Sequence, residues 1–438
     1  MIYKRNYLIP WMRICIYFAS CYMNTTKLKI FSSSSNSLSN KVIDFFYNIS
    51  RKITRDGIVD LGEGYERCED VNGADAILVR ASDIHGMDLG PNVRCVARSG
   101  AGYNNIPIED CARRGIVVFN TPGGNSNAVK ELVVGMILVN SRGTLGGINW
   151  VLDNAQDPDI VRDAERNKKA FVGHEAIGRK VGVVGLGAVG SKVANALVSL
   201  GLDVHGYDPY LSVEHAWQLS RSVKRVDSLD ELCRDADYVS LHVPSKDDTV
   251  RMIGARQIAL MHEGAMLVNY ARADIIDEDA VAAALKDGRL GSLVCDFATP
   301  KTTRMPRTMI TPHMGACTNE AEENCAAMAV SQMKDYLESG IIRNSVNYPD
   351  CDLGPVTSGL RIAALHDNVP NMIGQITAVL ARYDANIRRM SNEAQDGSAY
   401  TLIDLDGRLD DGAVADLRPI PGIYRIRVLE PPREATRA

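Results

Sequence analysis

Three glycines, Gly185, Gly187 and Gly190, stand in G-x-G-x-x-G spacing within the run VGVVGLGAVGSKVANAL. The residues before them are apolar and β-branched, and those after them have helical spacing, so the glycines fall on a strand-to-helix turn. In such a turn the first glycine permits the tight bend, the second lets backbone approach a pyrophosphate, and the third lets helix and strand pack closely. The N–H groups at the helix start, around Ala188 and Val189, then face the phosphates. An acidic residue is expected at the end of the following strand. Asp208 stands there in GYDPY, eighteen positions past Gly190. Its carboxylate can accept hydrogen bonds from ribose hydroxyls and repels a 2′-phosphate, which points to NAD rather than NADP.

Two arginines offer a second chemistry. Arg80 follows the apolar run AILV, and Arg98 follows VRCVA. Both are expected at strand C-termini, where α/β sheets place ligands. Two guanidiniums there suit a substrate carrying a phosphate as well as a carboxylate, since Arg pairs bidentately with either. Arg166, Lys168 and Lys169 form a further basic cluster, which reads either as a solvated face or as a contribution to a neighbouring subunit's site.

The elements that must position these residues form two α/β series. Apolar runs at 76–79, 93–97 and 116–119 alternate with turns and helical stretches, and a long helix is expected to begin over 127–138. The second series has strands at 181–184, 203–207, 238–243, 265–269 and 292–297, the size of a doubly wound dinucleotide domain. A helix over 320–337 follows, then a Pro/Asp/Gly-rich stretch at 344–356 that reads as a linker. The segment 360–429 reads strand, helix, strand, strand, helix, strand, the βαββαβ order of a ferredoxin-like unit.

Composition bounds the rest. The 438 residues carry a formal net charge of -5, so the chain has no global attraction for nucleic acid or an anionic membrane. An anionic substrate must be held by local Arg and Lys. The ten cysteines show no CxxC pair or Cys/His ligand spacing, and no metal site is expected; they read as reduced cytoplasmic thiols. No Asp or Glu occurs before Asp44, while Lys4, Arg5, Arg13, Lys27, Lys29 and Lys41 are basic. An acid-poor, Ser-rich, basic start has the composition of an organellar transit peptide, a disordered tail, or sequence upstream of a true start at Met23.

Several ordered motifs between Gly73 and Leu429 resemble those of the D-2-hydroxyacid dehydrogenases. ARSGAGYNNI resembles the family's substrate loop, FNTPGGNSNAVKELVVGMIL the approach to its crossing helix, and LHVPSKDDT its adenine pocket. VNYARADIIDEDA resembles the catalytic Arg motif and TPHMGACTNEAEENCAAMAV the catalytic His motif. The resemblance implies an NAD-dependent enzyme. Arg272 would hold the substrate carboxylate and polarise the reacting oxygen, and His313 would be the general base. Asp296 would bind near the nicotinamide ribose or carboxamide. Val243, Pro244, Tyr270, Ala271, Met314, Gly315 and Ala316 would line the cofactor, and Ser99 and Gly100 the substrate. The family places a Glu a few residues after the Asp that Asp296 matches, to orient the catalytic His; this chain has Lys301 there.

Within that superfamily the chain most resembles the D-3-phosphoglycerate dehydrogenase branch, where Arg80 and Arg98 match phosphate-binding positions. RIAALHDNVPNMIGQITAVLARYDANIRRM resembles the first half of an ACT regulatory domain. In serine-sensitive members, residues matching His366, Asn368 and Asn386 contact the effector; Asn371 departs from the Gly common after the Pro. The expected architecture is an extension at 1–41, a flavodoxin-like substrate domain at 42–144 and 313–344, a Rossmann domain at 145–312, a linker at 345–359 and an ACT domain at 360–430. The expected substrate is 3-phosphoglycerate, the expected effector serine, and the expected assembly a homodimer or homotetramer. Rival readings are the same chemistry on another 2-hydroxyacid, and a low-turnover NAD-sensing scaffold.

Overall fold

The computed structural model describes residues 28–31, 65–68, 71–80 and 82–431. Continuous runs of Val, Ile, Leu and Ala are satisfied where both faces of a strand are covered, which is the situation in parallel sheets flanked by helices. The first sheet contains β1 (Leu28–Phe31), β2 (Tyr65–Cys68), β3 (Ala76–Val79), β4 (Cys95–Arg98) and β5 (Val117–Phe119). Its strands are parallel in the order β2-β1-β3-β4-β5, the flavodoxin-like arrangement.

β1 corrects the sequence reading. It lies within the segment assigned to a disordered or targeting extension, yet it pairs with both β2 and β3. A four-residue run, LKIF, is too short to stand out from the basic and Ser-rich residues on either side of it. The rest of 1–41, and the expected start of the substrate domain at 42–64, lie outside the described residues.

The second sheet contains β6 (Lys180–Val184), β7 (Asp203–Tyr207), β8 (Lys224–Arg225), β9 (Tyr238–Leu241), β10 (Ala265–Asn269), β11 (Leu290–Cys295) and β12 (Thr308–Ile310). The order β12-β11-β10-β9-β6-β7-β8 reverses direction between β6 and β9, so a ligand crevice opens at the C-terminal ends of those two strands. β8 and β12 escape sequence reading because they are short and lack the buried apolar pattern of their neighbours. The helix Ser126–Ser141 was expected to belong with the substrate domain up to residue 144. It instead packs Val129, Val133 and Ile137 into the core around Val181, Val183 and Val193 of the second sheet. The boundary expected at residue 145 therefore moves upstream, since the helix spans the cleft and buries its apolar stripe on the far side.

The third sheet is antiparallel, with β13 (Leu360–Asp367), β14 (Ile387–Gln395), β15 (Ser398–Leu405) and β16 (Ile423–Leu429) in the order β14-β15-β13-β16. The helices Met372–Arg382 and Asp411–Leu417 cover one face through Ile376, Leu380 and Leu417, packed on Ile362 and Ile403. The opposite face is covered too. Ala363, Leu365, Tyr400 and Leu402 share one core with Phe119, Met333, Tyr336 and Leu337 of the substrate domain. Polar groups reinforce this contact: Arg427 donates to the carbonyls of Tyr336 (3.0 Å) and Leu337 (2.8 Å), Arg425 to Val93 (2.7 Å), and Tyr400 to Gly340 (2.7 Å).

The stretch read as a linker is also corrected. Tyr348, Cys351 and Val356 are buried in that same core. The Val346 N–H donates to the Val118 carbonyl (2.9 Å). The Asn347 amide accepts from the Val118 N–H and donates to the Ile116 carbonyl, each at 2.9 Å, and so continues the sheet past β5. Pro, Asp and Gly mark the bends of this segment; the apolar anchors between them hold it down.

Candidate active site

The turn after β6 has the expected form. A Cβ on Gly190 would lie 1.9 Å from the Gly185 carbonyl oxygen, and one on Gly185 would meet the His242 carbonyl and Val243 after β9. Gly187 differs: among the described residues nothing lies within 4 Å of its would-be Cβ. Its missing side chain therefore leaves room for something other than the protein, as a pyrophosphate approaching the backbone requires. Val189 immediately precedes the helix Gly190–Ser199, and Ala188 faces Gly123 of the substrate domain across the cleft. Pro244 begins the neighbouring loop, its carbonyl accepting from Thr249.

Asp208 is oriented by two backbone donors, the N–H of Leu186 (2.8 Å) and that of Tyr210 (2.9 Å). A carboxylate tied to the glycine turn would repel a 2′-phosphate brought beside it. Asp208→Ala is expected to narrow the preference for NAD over NADP by at least tenfold in kcat/KM. A wild-type protein that uses both cofactors equally would remove this assignment.

Beyond β12 the chain makes a strained turn in which His313 has φ +54°, a conformation rare for side chains other than glycine. Asp296, 2% exposed at the end of β11, sustains it. Its carboxylate accepts from the Thr311 hydroxyl and from the N–H groups of Met314 (2.9 Å) and Gly315 (2.7 Å). In the structure the Asp296 oxygens serve the His313 turn, a contact that the sequence reading did not include. Ala316 continues this turn to the substrate cavity. Tyr270 and Ala271 are buried at the end of β10, with the Tyr270 hydroxyl 3.3 Å from Thr311 Oγ1.

Sequence reasoning missed two residues here. Asn269 is fully buried, accepts from the Ala271 N–H (3.2 Å) and donates to the Arg272 carbonyl (2.7 Å), so it shapes the turn that presents Arg272. An Asn ending an otherwise apolar strand was the available signal. Phe297 packs its ring 5.2 Å from that of His313, tilted by 59°.

Lys301 is corrected outright as a catalytic candidate. Its ammonium pairs with Asp279 at 2.6 Å and its side chain is 54% exposed. Asp279 raises its pKa. Among the described residues, no hydrogen bond joins the His313 ring to a carboxylate, so neither Lys301 nor Glu320 takes the place of the family's Glu.

The guanidiniums converge. Arg80, Arg98 and Arg272 line one cavity of about 190 Å³ together with Ser99, Gly100, His313 and Glu322. Gly100 has φ +144°, and a Cβ there would lie 2.3 Å from Arg98 Nη1, so a glycine is needed for Arg98 to lie across the loop. Burial pulls the Arg98 guanidinium below its ordinary value, and the positive charges of Arg80 and Arg272 pull it further. Arg98 Nε and Ser99 Oγ are buried without a hydrogen-bond partner among the described residues. Clustered cations and unspent donors in a cavity are the complement of a polyanion.

The three effector candidates are not brought together within one copy of the chain. His366 is 2% exposed, and both ring nitrogens are engaged at 2.8 Å, one with the Asp367 carbonyl and one with Thr401 Oγ1. Asn368 lies beside Gly397 at one end of the sheet, whereas Asn386 lies beside Asp406 at the other. The eight residues of β13 separate them, roughly 26 Å.

The description "D-isomer specific 2-hydroxyacid dehydrogenase, NAD binding domain" matches residues 134–315. D-3-phosphoglycerate dehydrogenase of Haemophilus influenzae is 31% identical over 355 residues, covering 78% of this chain and 83% of that protein. The protein of the same name from Escherichia coli K12 is 32% identical over 344 residues, covering 75% and 79%. Among solved structures, NAD+-bound 3-phosphoglycerate dehydrogenase of Entamoeba histolytica superimposes with a TM-score of 0.54 at 26% identity, covering 74% of this chain and 99% of that one. With the glycine turn, the Asp208 position and the Arg/His cavity on the same scaffold, this chain belongs to the D-isomer specific 2-hydroxyacid dehydrogenases, a family of NAD-dependent oxidoreductases.

Proposed function

We propose that this protein oxidises 3-phospho-D-glycerate to 3-phosphohydroxypyruvate with NAD, the first step of serine biosynthesis. The observation that carries the reading is the convergence of Arg80, Arg98 and Arg272 on the cavity that also holds His313. Arg272 binds the carboxylate of the substrate and polarises its reacting oxygen. Arg80 and Arg98 hold the phosphate at the other end. His313 takes the hydroxyl proton on its imidazole. Gly185 to Gly190 and Asp208 would hold NAD, which would supply the hydride acceptor.

Initial rates with 3-phosphoglycerate and with D-glycerate, the same acid without its phosphate, test this. Arg98→Ala removes a buried charge-assisted contact of about 2–3 kcal/mol, so KM for the phosphorylated acid should rise roughly 30- to 150-fold. KM for D-glycerate should change little. An unchanged KM for 3-phosphoglycerate would point to another 2-hydroxyacid.

A second reading, low turnover on an NAD-sensing scaffold, is favoured by one observation: Lys301 turns away to Asp279, and His313 lacks a carboxylate partner among the described residues. Turnover of the wild-type protein decides between the two. For assembly, a homodimer or homotetramer is supported by the exposed apolar side chains of Leu145, Ile148, Val151, Leu152, Val161 and Val172. Sedimentation of the full chain tests it, and a monomer at micromolar concentration would exclude it. Calorimetry of that assembly with serine tests the effector that the ACT resemblance implies.

A further inference from the structure

Inside the substrate cavity stands a negative charge. Glu322 Oε1 lies 2.7 Å from Arg80 Nη1, with side chains 25% and 17% exposed respectively, and both residues line the cavity. Glu322 is in the first turn of the helix Asn319–Ser339, where the helix dipole favours a carboxylate. It is not needed to cap that helix, because the Thr318 side chain already accepts from the Ala321 N–H. Its carboxylate therefore faces the guanidinium that the phosphate is to meet.

We propose that Glu322 is a specificity residue that competes with the substrate's distal anion for Arg80. The proposal rests on the reading of the cavity as a site for a phosphorylated 2-hydroxyacid. Three guanidiniums and one carboxylate leave the cavity two positive charges for a ligand that carries about three negative ones above the second phosphate pKa of about 6. A fixed carboxylate beside the phosphate site weakens substrate and product alike, because both carry the phosphate. Such uniform weakening falls on KM rather than on kcat, and keeps a phosphorylated product from lingering. At the separations of neighbouring groups in a partly solvated cavity, one unit charge is worth roughly a tenfold change in affinity.

Glu322→Gln is the informative substitution, because the amide oxygen can still accept from Arg80 while the charge is gone. KM for 3-phosphoglycerate and the inhibition constant of 3-phosphohydroxypyruvate should both fall about tenfold. KM for D-glycerate should move by less than twofold. NAD affinity, read by fluorescence quenching, reports that the variant is folded. A rise in KM for 3-phosphoglycerate would mean that Glu322 serves to hold Arg80 in place, and no change would mean that its charge is not felt; either overturns the proposal. Calorimetric titration with inorganic phosphate separates this test from the functional reading. If the wild type fails to oxidise 3-phosphoglycerate, the functional reading falls. Tighter phosphate binding by the variant still supports the role of Glu322, and equal or weaker binding overturns it.

Discussion

Arg361→Ala is expected to lower the stability of the chain by about 3–5 kcal/mol, the range found when one partner of a buried ion pair is removed. Arg361, the second residue of β13, has no exposed surface. Its guanidinium donates to both oxygens of Asp404, at 2.6 and 3.1 Å. The remaining donors reach the carbonyls of Ser339 (2.8 Å), Gly354 (2.7 Å) and Leu353 (3.3 Å). One side chain thus satisfies a β15 carboxylate, the C-terminal end of the helix Asn319–Ser339 and the connecting segment. Burial pushes the Asp404 carboxyl up, but hydrogen bonds from Arg361 and Arg389 outweigh it and hold the group below its ordinary value. Alanine would also take a donor from three part-buried carbonyls, a loss that entering water offsets in part. Urea unfolding of the full chain measures this, with NAD binding at zero urea showing that the Rossmann domain is intact. A loss below 1 kcal/mol would mean that the contact between the C-terminal sheet and the substrate domain relaxes freely around the vacancy.

The second large effect concerns His313, the proposed base. His313→Gln is expected to lower kcat by about 10²–10³, the lower part of the range for a positioned general base, with KM for the substrate nearly unchanged. The lower part applies because no carboxylate holds the ring among the described residues; the turn clamped by Asp296 and the face of Phe297 position it. Lys301→Met is the paired control. Since the Lys301 ammonium is spent on Asp279 near the surface, its removal should leave the pH profile of kcat superimposable on that of the wild type. A shifted acid limb in Lys301→Met would show that the ammonium reaches His313 in solution. A loss below tenfold in His313→Gln would favour the scaffold reading.

Local pattern was enough for the nucleotide side of the site. Gly185, Gly187, Gly190 and Asp208 lie within one strand-turn-helix-strand unit, so their geometry follows from short-range rules about turns and strand ends, and sequence alone specifies it. The C-terminal βαββαβ unit was legible for the same reason: its turn residues and apolar periods repeat at short range. Arg80 and Arg98 could be placed at strand ends, but their meeting with Arg272, from a different sheet, depends on how two domains close on each other.

What only the tertiary structure decided lies wherever a residue's partner is distant in sequence. LKIF was invisible as a strand until β2 and β3 stood on either side of it. The segment after residue 344 carries the residues of a loop, yet Asn347 docks along β5 and Tyr348 on the helix Ile108–Arg113, each more than two hundred residues away. The family resemblance puts Lys301 where a catalytic carboxylate is expected, and only the fold shows that Lys301 pairs with Asp279. Asp296 was legible as an acidic residue near the site, but what its oxygens touch was not, and Glu322 was not singled out at all. Sequence determines which groups are available at each position and the local bends that carry them. Which of those groups spend their charge on each other is set by long-range packing, because a Coulomb or hydrogen-bond partner is chosen by distance in space.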